Sequence, residues 1–188
     1  MEEIKFLDKY FNDLKVLLSN QNYFQDLIKI KQILIETHKD GKKTMIFGNG
    51  GSAAIASHFS VDLTKNAKVR CTNYNESDLL TCFANDFGYE KWVEKAIEFY
   101  ADEGDTVIFI SAGGNSQNMT NGANLAQKMK IRKIITLTGN DANNKLKKLG
   151  DINLWVNSKA YNHIENVHQA LLLSLVDLII GKSEYSPN

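Results

Sequence analysis

From Thr44 onward the chain repeats one unit: a short apolar run of strand length, a glycine-rich turn, then a stretch with helical apolar spacing. This rhythm restricts the fold more than any other feature. A strand that is apolar along its whole length must be covered on both faces, and intervening helices supply that cover when the strands run parallel. The runs at 44–47, 106–110, 133–138 and 152–156 read as such strands. Residues 68–74 alternate only weakly and read as an edge strand, while Leu79, Leu80 and Phe83, and Trp92, Val93, Ala96, Ile97 and Tyr100, have helical spacing. The single proline is Pro187, so glycine, asparagine and aspartate must set the element boundaries. The expected class is α/β, a three-layer α/β/α sandwich, and 188 residues suit one domain spanning 1–188.

The first forty residues follow a different pattern. Ile4, Leu7, Phe11, Leu14 and Leu18 recur in steps of three and four, which predicts a first helix with one apolar stripe. Phe24, Leu27, Ile28, Ile30, Ile33, Leu34 and Ile35 spread further around a second helix than one core contact requires. Its spare face is expected to meet another copy of the chain, so residues 1–40 form a helical pair used in oligomerisation.

Charge and composition remove several function classes. Lysine plus arginine number 22 and aspartate plus glutamate number 22, so no net positive field exists to bind a nucleic acid. No apolar run approaches the roughly 20 residues that a membrane span needs. The start, Met1-Glu2-Glu3-Ile4-Lys5-Phe6, lacks the basic-then-apolar order of a secretory signal, so the expected compartment is the cytoplasm. Cys71 and Cys82 have neither metal-ligand nor redox-motif spacing and are expected to be buried or half-buried thiols.

Two segments echo each other. Gly48-Asn49-Gly50-Gly51-Ser52 follows the first strand, and Ser111-Ala112-Gly113-Gly114-Asn115-Ser116 follows the run at 106–110. In a parallel sheet both turns stand at strand carboxyl ends, on the edge where open α/β folds bind ligands. The first turn can cradle a small anion, with Ser52 capping the next helix; alternatively it is a tight turn without a ligand. It is not a P-loop, because no Gly-Lys-Ser or Gly-Lys-Thr follows, and no nucleotide cofactor is expected. Ser111 and Ser116 add hydroxyls to backbone N–H groups, so the second turn is the expected phosphate site. The first is then free to grip the organic body of a phosphorylated, sugar-sized ligand.

Titratable side chains cluster around these turns. His58 and Asp62 are four apart on the helix that Ser52 opens; they can share a metal, act as a proton-transfer pair, or form an ordinary surface hydrogen bond. Glu165 and His168, three apart near the start of an apolar last helix, face the same way as a working or a structural pair. Asn85 and Asp86 fall among turn formers between two helical stretches, where Asp86 either accepts from sugar hydroxyls or caps the helix of Trp92.

Taken in order, Gly48-Asn49-Gly50-Gly51-Ser52 with His58 and Asp62, Ala84-Asn85-Asp86-Phe87-Gly88, Ser111 to Ser116, Leu137-Thr138-Gly139, and Ile164-Glu165 with Val167-His168 resemble the sugar isomerase (SIS) domain family, in its phosphoheptose isomerase branch. The resemblance covers nearly the whole chain. It implies a five-stranded parallel sheet of flavodoxin-like layout, a homotetramer or dimer with clefts between subunits, and conversion of sedoheptulose 7-phosphate to a mannoheptose 7-phosphate through an enediol, for lipopolysaccharide or capsule synthesis. It further implies that Asn49, Gly50, Gly51 and Ser52 hold substrate, that Asn85 and Asp86 meet its hydroxyls, and that Ser111, Ala112, Gly113, Asn115 and Ser116 hold phosphate. His58 matches a metal-binding histidine, with Asp62 and Glu165 completing a zinc site.

The chain also departs from the branch. Its glutamate base is Asp62 here, a glutamine of the last helix is Glu165, and a second histidine is Leu173; Ala112 and Gly113 stand where hydroxyl residues are usual. Three functions are therefore compared. The first is an isomerase with Asp62 or Glu165 as base and His168 as acid. The second is an inactive phosphosugar-binding protein resembling the replication-initiator-associating adaptors of this superfamily, and the third is a phosphosugar-sensing regulatory subunit.

Overall fold

A computed structural model describes residues 1–186; Pro187 lies outside the described residues. Two helices, α1 (Glu2–Leu18) and α2 (Phe24–Lys39), precede the sheet. Then follow β1 (Thr44–Gly48), α3 (Gly51–Lys65), β2 (Cys71–Asn73), α4 (Ser77–Phe87), α5 (Trp92–Tyr100), β3 (Thr106–Ser111), α6 (Gln117–Lys128), β4 (Lys133–Gly139), β5 (Ile152–Val156) and α7 (Tyr161–Ile180). All strand pairs are parallel and the order is β2-β1-β3-β4-β5, the flavodoxin-like layout. The weakly alternating segment is the edge strand, trimmed to three residues.

Successive strand residues point to opposite faces, which divides the core in two. Ile108 and Ile110 of β3 face α2, α3 and α7 together with Ile46, Ile135 and Leu137. Val107 and Phe109 face α5 and α6 together with Met45, Phe47 and Ile134. At the amino ends of the strands, Asp105 is fully buried and accepts from Lys43 N at 2.9 Å, Lys43 Nζ at 2.6 Å and Asp102 N at 2.8 Å. This knot ties β1 to β3 at the edge away from the glycine-rich turns.

Both N-terminal helices leave apolar surface uncovered. The second helix buries Leu27, Ile30 and Leu34, leaving Phe24 and Ile28 half-exposed. The first helix, α1, has no buried residue, although it lies against α7; Ile4, Phe6, Leu7 and Phe11 are each at least half-exposed. Periodicity reveals that a helix has an apolar face, but it carries no information about what covers that face. Cys71 is buried as expected, whereas Cys82 is exposed on α4. Among the described residues no helix is long and apolar enough to cross a membrane.

Candidate active site

β1 and β3 are neighbours, with Gly48 paired to Ile110, so the turns that follow them stand side by side at one sheet edge. Between them and the start of α7 lies a cleft of about 580 Å³. Asn49 and Ser52 line it from the first turn, Ser111, Ala112, Gly113, Asn115 and Ser116 from the second, and Glu165 from α7. Seven of the expected binding residues and one expected acid therefore converge in a single chain.

The first turn depends on glycine at two positions. Gly50 has φ +53°, a conformation that costs an L-residue, and it is the N-cap of α3. At Gly51 a Cβ would overlap the Glu165 carboxylate, so that carboxylate lies directly over the first turn of α3. There the helix's partial positive charge favours an anion. Ser52 was expected to cap α3, but no side chain caps it; Ser52 is the second residue of the helix, nearly buried, and contributes to the cleft wall.

The Asn49 amide is fixed by Asn118, which the sequence reading missed. The two amides bond reciprocally, Asn49 Nδ2 to Asn118 Oδ1 at 3.0 Å and Asn118 Nδ2 to Asn49 Oδ1 at 2.8 Å, and Tyr89 Oη donates to the same Asn49 oxygen at 3.0 Å. Asn118 is buried on α6 among Met119, Thr120, Gly122, Ala123 and Ala126, and an amide at the start of that inward side was the available signal.

In the second turn, Ser111 Oγ and Ser116 Oγ are 3.2 Å apart, and Gly114 N donates to Ser111 Oγ at 3.2 Å. Ser116 is the N-cap of α6, yet its hydroxyl makes no capping bond and turns toward Ser111 instead. Met119 N donates to Asn118 Oδ1 at 3.1 Å, so the N–H groups left for an anion at this helix start are those of Gln117 and Asn118. Asn115 is held by Lys145 N, which donates to its Oδ1 at 3.1 Å. The cleft is also lined by Asn140, Asp141 and Tyr161, none of them expected. Asn140 and Asp141 follow β4 at the same carboxyl edge, a position the sheet order makes readable. No lysine or arginine is among the cleft-lining residues, so the donors this lining offers are hydroxyls, side-chain amides and backbone N–H groups.

Other expected site residues lie elsewhere. Asn85 and Asp86 do not form a turn: α4 runs through them and stops at Gly88, whose φ is +89°. Both are exposed and bond one another, Asn85 Nδ2 to Asp86 Oδ1 at 2.9 Å, and Asp86 does not cap α5. Neither lines the cleft of its own chain.

His58 Nε2 lies 3.3 Å from Asp62 Oδ2, and His58 Nδ1 is 2.8 Å from Gln169 Nε2 of α7. Both imidazole nitrogens thus have partners, and neither residue lines the cleft. Among the described residues no three histidine, cysteine, aspartate or glutamate side chains converge as a metal centre requires, so His58, Asp62 and Glu165 of one chain do not fit a zinc ion. Leu173 is half-buried on α7.

His168 was expected to serve as an acid beside Glu165, but the structure places it in the core. It is fully buried, and its Nε2 is 3.2 Å from the Thr138 carbonyl, which makes Nε2 the protonated nitrogen. Nδ1 has no partner. Burial pushes the imidazole pKa down to about 4, against the smaller opposing effect of the Thr138 bond. A step of three residues turns a side chain about 60° around a helix axis, enough to send His168 into the sheet while Glu165 stays at its edge.

The chain matches the SIS domain family model over residues 9–139. It is 37% identical to a phosphoheptose isomerase of Aliarcobacter butzleri over 150 residues, covering 77% of this chain and 78% of that one. It is 33% identical to a phosphoheptose isomerase of Buchnera aphidicola over 175 residues, covering 90% and 89%. Among solved structures, a phosphoheptose isomerase from Francisella tularensis superposes with a TM-score of 0.87 at 23% identity, covering 97% of this chain and 100% of that one. The phosphoheptose isomerase GmhA from Neisseria gonorrhoeae gives 0.87 at 22% identity, covering 94% and 98%. These superpositions show the shared fold, and the sequence relatives show the kinship: a cleft of paired serine and asparagine turns on a flavodoxin-like sheet, in a chain that belongs to the phosphoheptose isomerase family of SIS-domain proteins.

Proposed function

We propose that this chain converts sedoheptulose 7-phosphate to D-glycero-D-manno-heptose 7-phosphate, supplying heptose for a surface polysaccharide, with Glu165 as the proton-transferring base. The observation that carries this reading is the Glu165 carboxylate, held over the first turn of α3 in the same cleft as the two glycine-rich turns. The phosphoryl group is assigned to Ser111, Ser116 and the start of α6, and the sugar body to Asn49, Ser52 and Asn115. Fixing both ends of the substrate orients the carbons next to the carbonyl, where a small displacement costs much of the rate.

The reaction needs only proton movements. A carboxylate removes a proton from the hydroxymethyl carbon as the neighbouring carbonyl oxygen gains one, which forms the enediol. The hydroxyl on the first carbon then gives up its proton and becomes the aldehyde oxygen, and the second carbon receives a proton. Glu165 can make both carbon transfers, because one carboxylate takes the proton and returns it one carbon along. Asp62 is engaged by His58 outside the cleft, which favours Glu165 over it.

We further read the exposed apolar face of α1 as the contact between copies of the chain in a homo-oligomer, on the support of Ile4, Phe6, Leu7 and Phe11. A test of the activity is incubation with sedoheptulose 7-phosphate in deuterated water, followed by NMR. The expected result is the aldose heptose 7-phosphate with deuterium on its second carbon. Unchanged ketose with no deuterium, after metal removal and after zinc addition alike, contradicts the reading.

A further inference from the structure

Between its two serines the phosphate turn carries no side-chain hydroxyl, since Ala112, Gly113, Gly114 and Asn115 occupy those positions. A phenol from another element borders the space that a side chain at position 113 would take. A Cβ on Gly113 would lie 3.3 Å from Tyr161 Oη, the only heavy atom within 4 Å of it among the described residues once Gly113 and its chain neighbours are set aside. Tyr161 is the first residue of α7, four before Glu165, so the two lie on one helix face and line the same cleft. Tyr161 also lines a second cavity of about 390 Å³, on the side of α1, together with Phe6, Tyr10 and His163 and with the charged Lys9 and Asp13 at its margin. The residue therefore stands between the two cavities, with its hydroxyl at the polar cleft.

The geometry points to Tyr161 as a substrate-gripping residue: its phenol donates a hydrogen bond to the phosphoryl group bound at the Ser111–Ser116 turn. The inference rests on the phosphosugar reading of the cleft and deepens it. A phenol is a donor well suited to an anionic oxygen, and the cleft lining offers no lysine or arginine to do the same work. Gly113 is required on this account by proximity. A side chain there would crowd the phenol, because 3.3 Å is tighter than ordinary carbon–oxygen contact.

Inorganic phosphate is the probe, titrated calorimetrically into the full-length protein and into Tyr161→Phe, Gly113→Ala and the double variant. Tyr161 is 57% exposed and Phe keeps its ring, so folding is not at stake. Loss of a hydrogen bond to a charged group predicts about tenfold weaker phosphate binding in Tyr161→Phe, and a smaller loss in Gly113→Ala. Gly113→Ala should add nothing in the Tyr161→Phe background, where no phenol oxygen remains to be displaced. With sedoheptulose 7-phosphate, KM should rise in step with the phosphate Kd while kcat changes little. Equal phosphate affinity in wild type and Tyr161→Phe overturns the inference, as does wild type that binds no phosphate, or a Gly113→Ala effect that persists without the phenol. Weakened phosphate binding without turnover by any form sustains the Tyr161 assignment while removing the isomerase reading.

Discussion

His168 offers a quantitative check on the division between residues that work in the cleft and residues that hold up the sheet. Its side chain is fully buried, and burial lowers its pKa from 6.5 to about 4. Above 6.5 neither the folded nor the unfolded chain protonates it, and its stabilising contribution is complete. As pH falls from 6.5 toward 4 the unfolded chain takes up a proton that the folded chain refuses, and that contribution is lost. The full loss is about 3 kcal/mol; at about pH 5, roughly two-thirds is gone, or about 2 kcal/mol. In His168→Gln the new amide can still donate to the Thr138 carbonyl but does not titrate, so that variant lacks this loss. Urea unfolding of both proteins at one fixed concentration, at about pH 7.5 and about pH 5, cancels the carboxylates common to them. The stability difference between wild type and variant should shift by about 2 kcal/mol in favour of the variant at the lower pH. Turnover by His168→Gln should stay within about threefold of wild type. Parallel pH dependences would refute the buried neutral imidazole, and a hundredfold loss of kcat without a loss of stability would return His168 to the chemistry.

Two further expectations concern the scaffold. Asp105→Ala leaves Lys43 without its buried partner and should lower unfolding stability by about 3 kcal/mol, with KM unchanged because the knot lies at the far edge of the sheet; an effect under about 1 kcal/mol in urea titration would contradict it. Phe11→Asp on the exposed face of α1 should shift light-scattering mass toward a smaller assembly without unfolding the chain, whereas an unchanged mass would remove α1 from the interface.

Much of the fold was legible in the sequence because strand-length apolar runs separated by glycine leave few alternatives. The paired turns were legible for the same reason: strands adjacent in the sheet bring their carboxyl-end loops together. Side-chain direction was harder to read. Spacing alone put Glu165 and His168 on one helix face, yet the angle between them is enough to place one at the cleft and the other in the core. Asn85 and Asp86 are turn-forming types, and they were carried along by a helix that Gly88 stops instead. Tyr161 escaped notice although it stands four residues before Glu165, because an aromatic residue at a helix start is ordinarily packing. His58 and Asp62 did pair as their spacing implied, but pairing at four residues does not say whether the pair meets a ligand.

The central claim is that Glu165 is the base, and the comparison of Glu165→Gln with Asp62→Asn tests it most directly. Solvent deuterium uptake into sedoheptulose 7-phosphate reports proton abstraction whether or not product leaves. Glu165→Gln should slow that uptake by about a hundredfold or more, while Asp62→Asn should leave it within about tenfold of wild type. Uptake that survives in Glu165→Gln and disappears in Asp62→Asn would contradict the account and move the base onto α3.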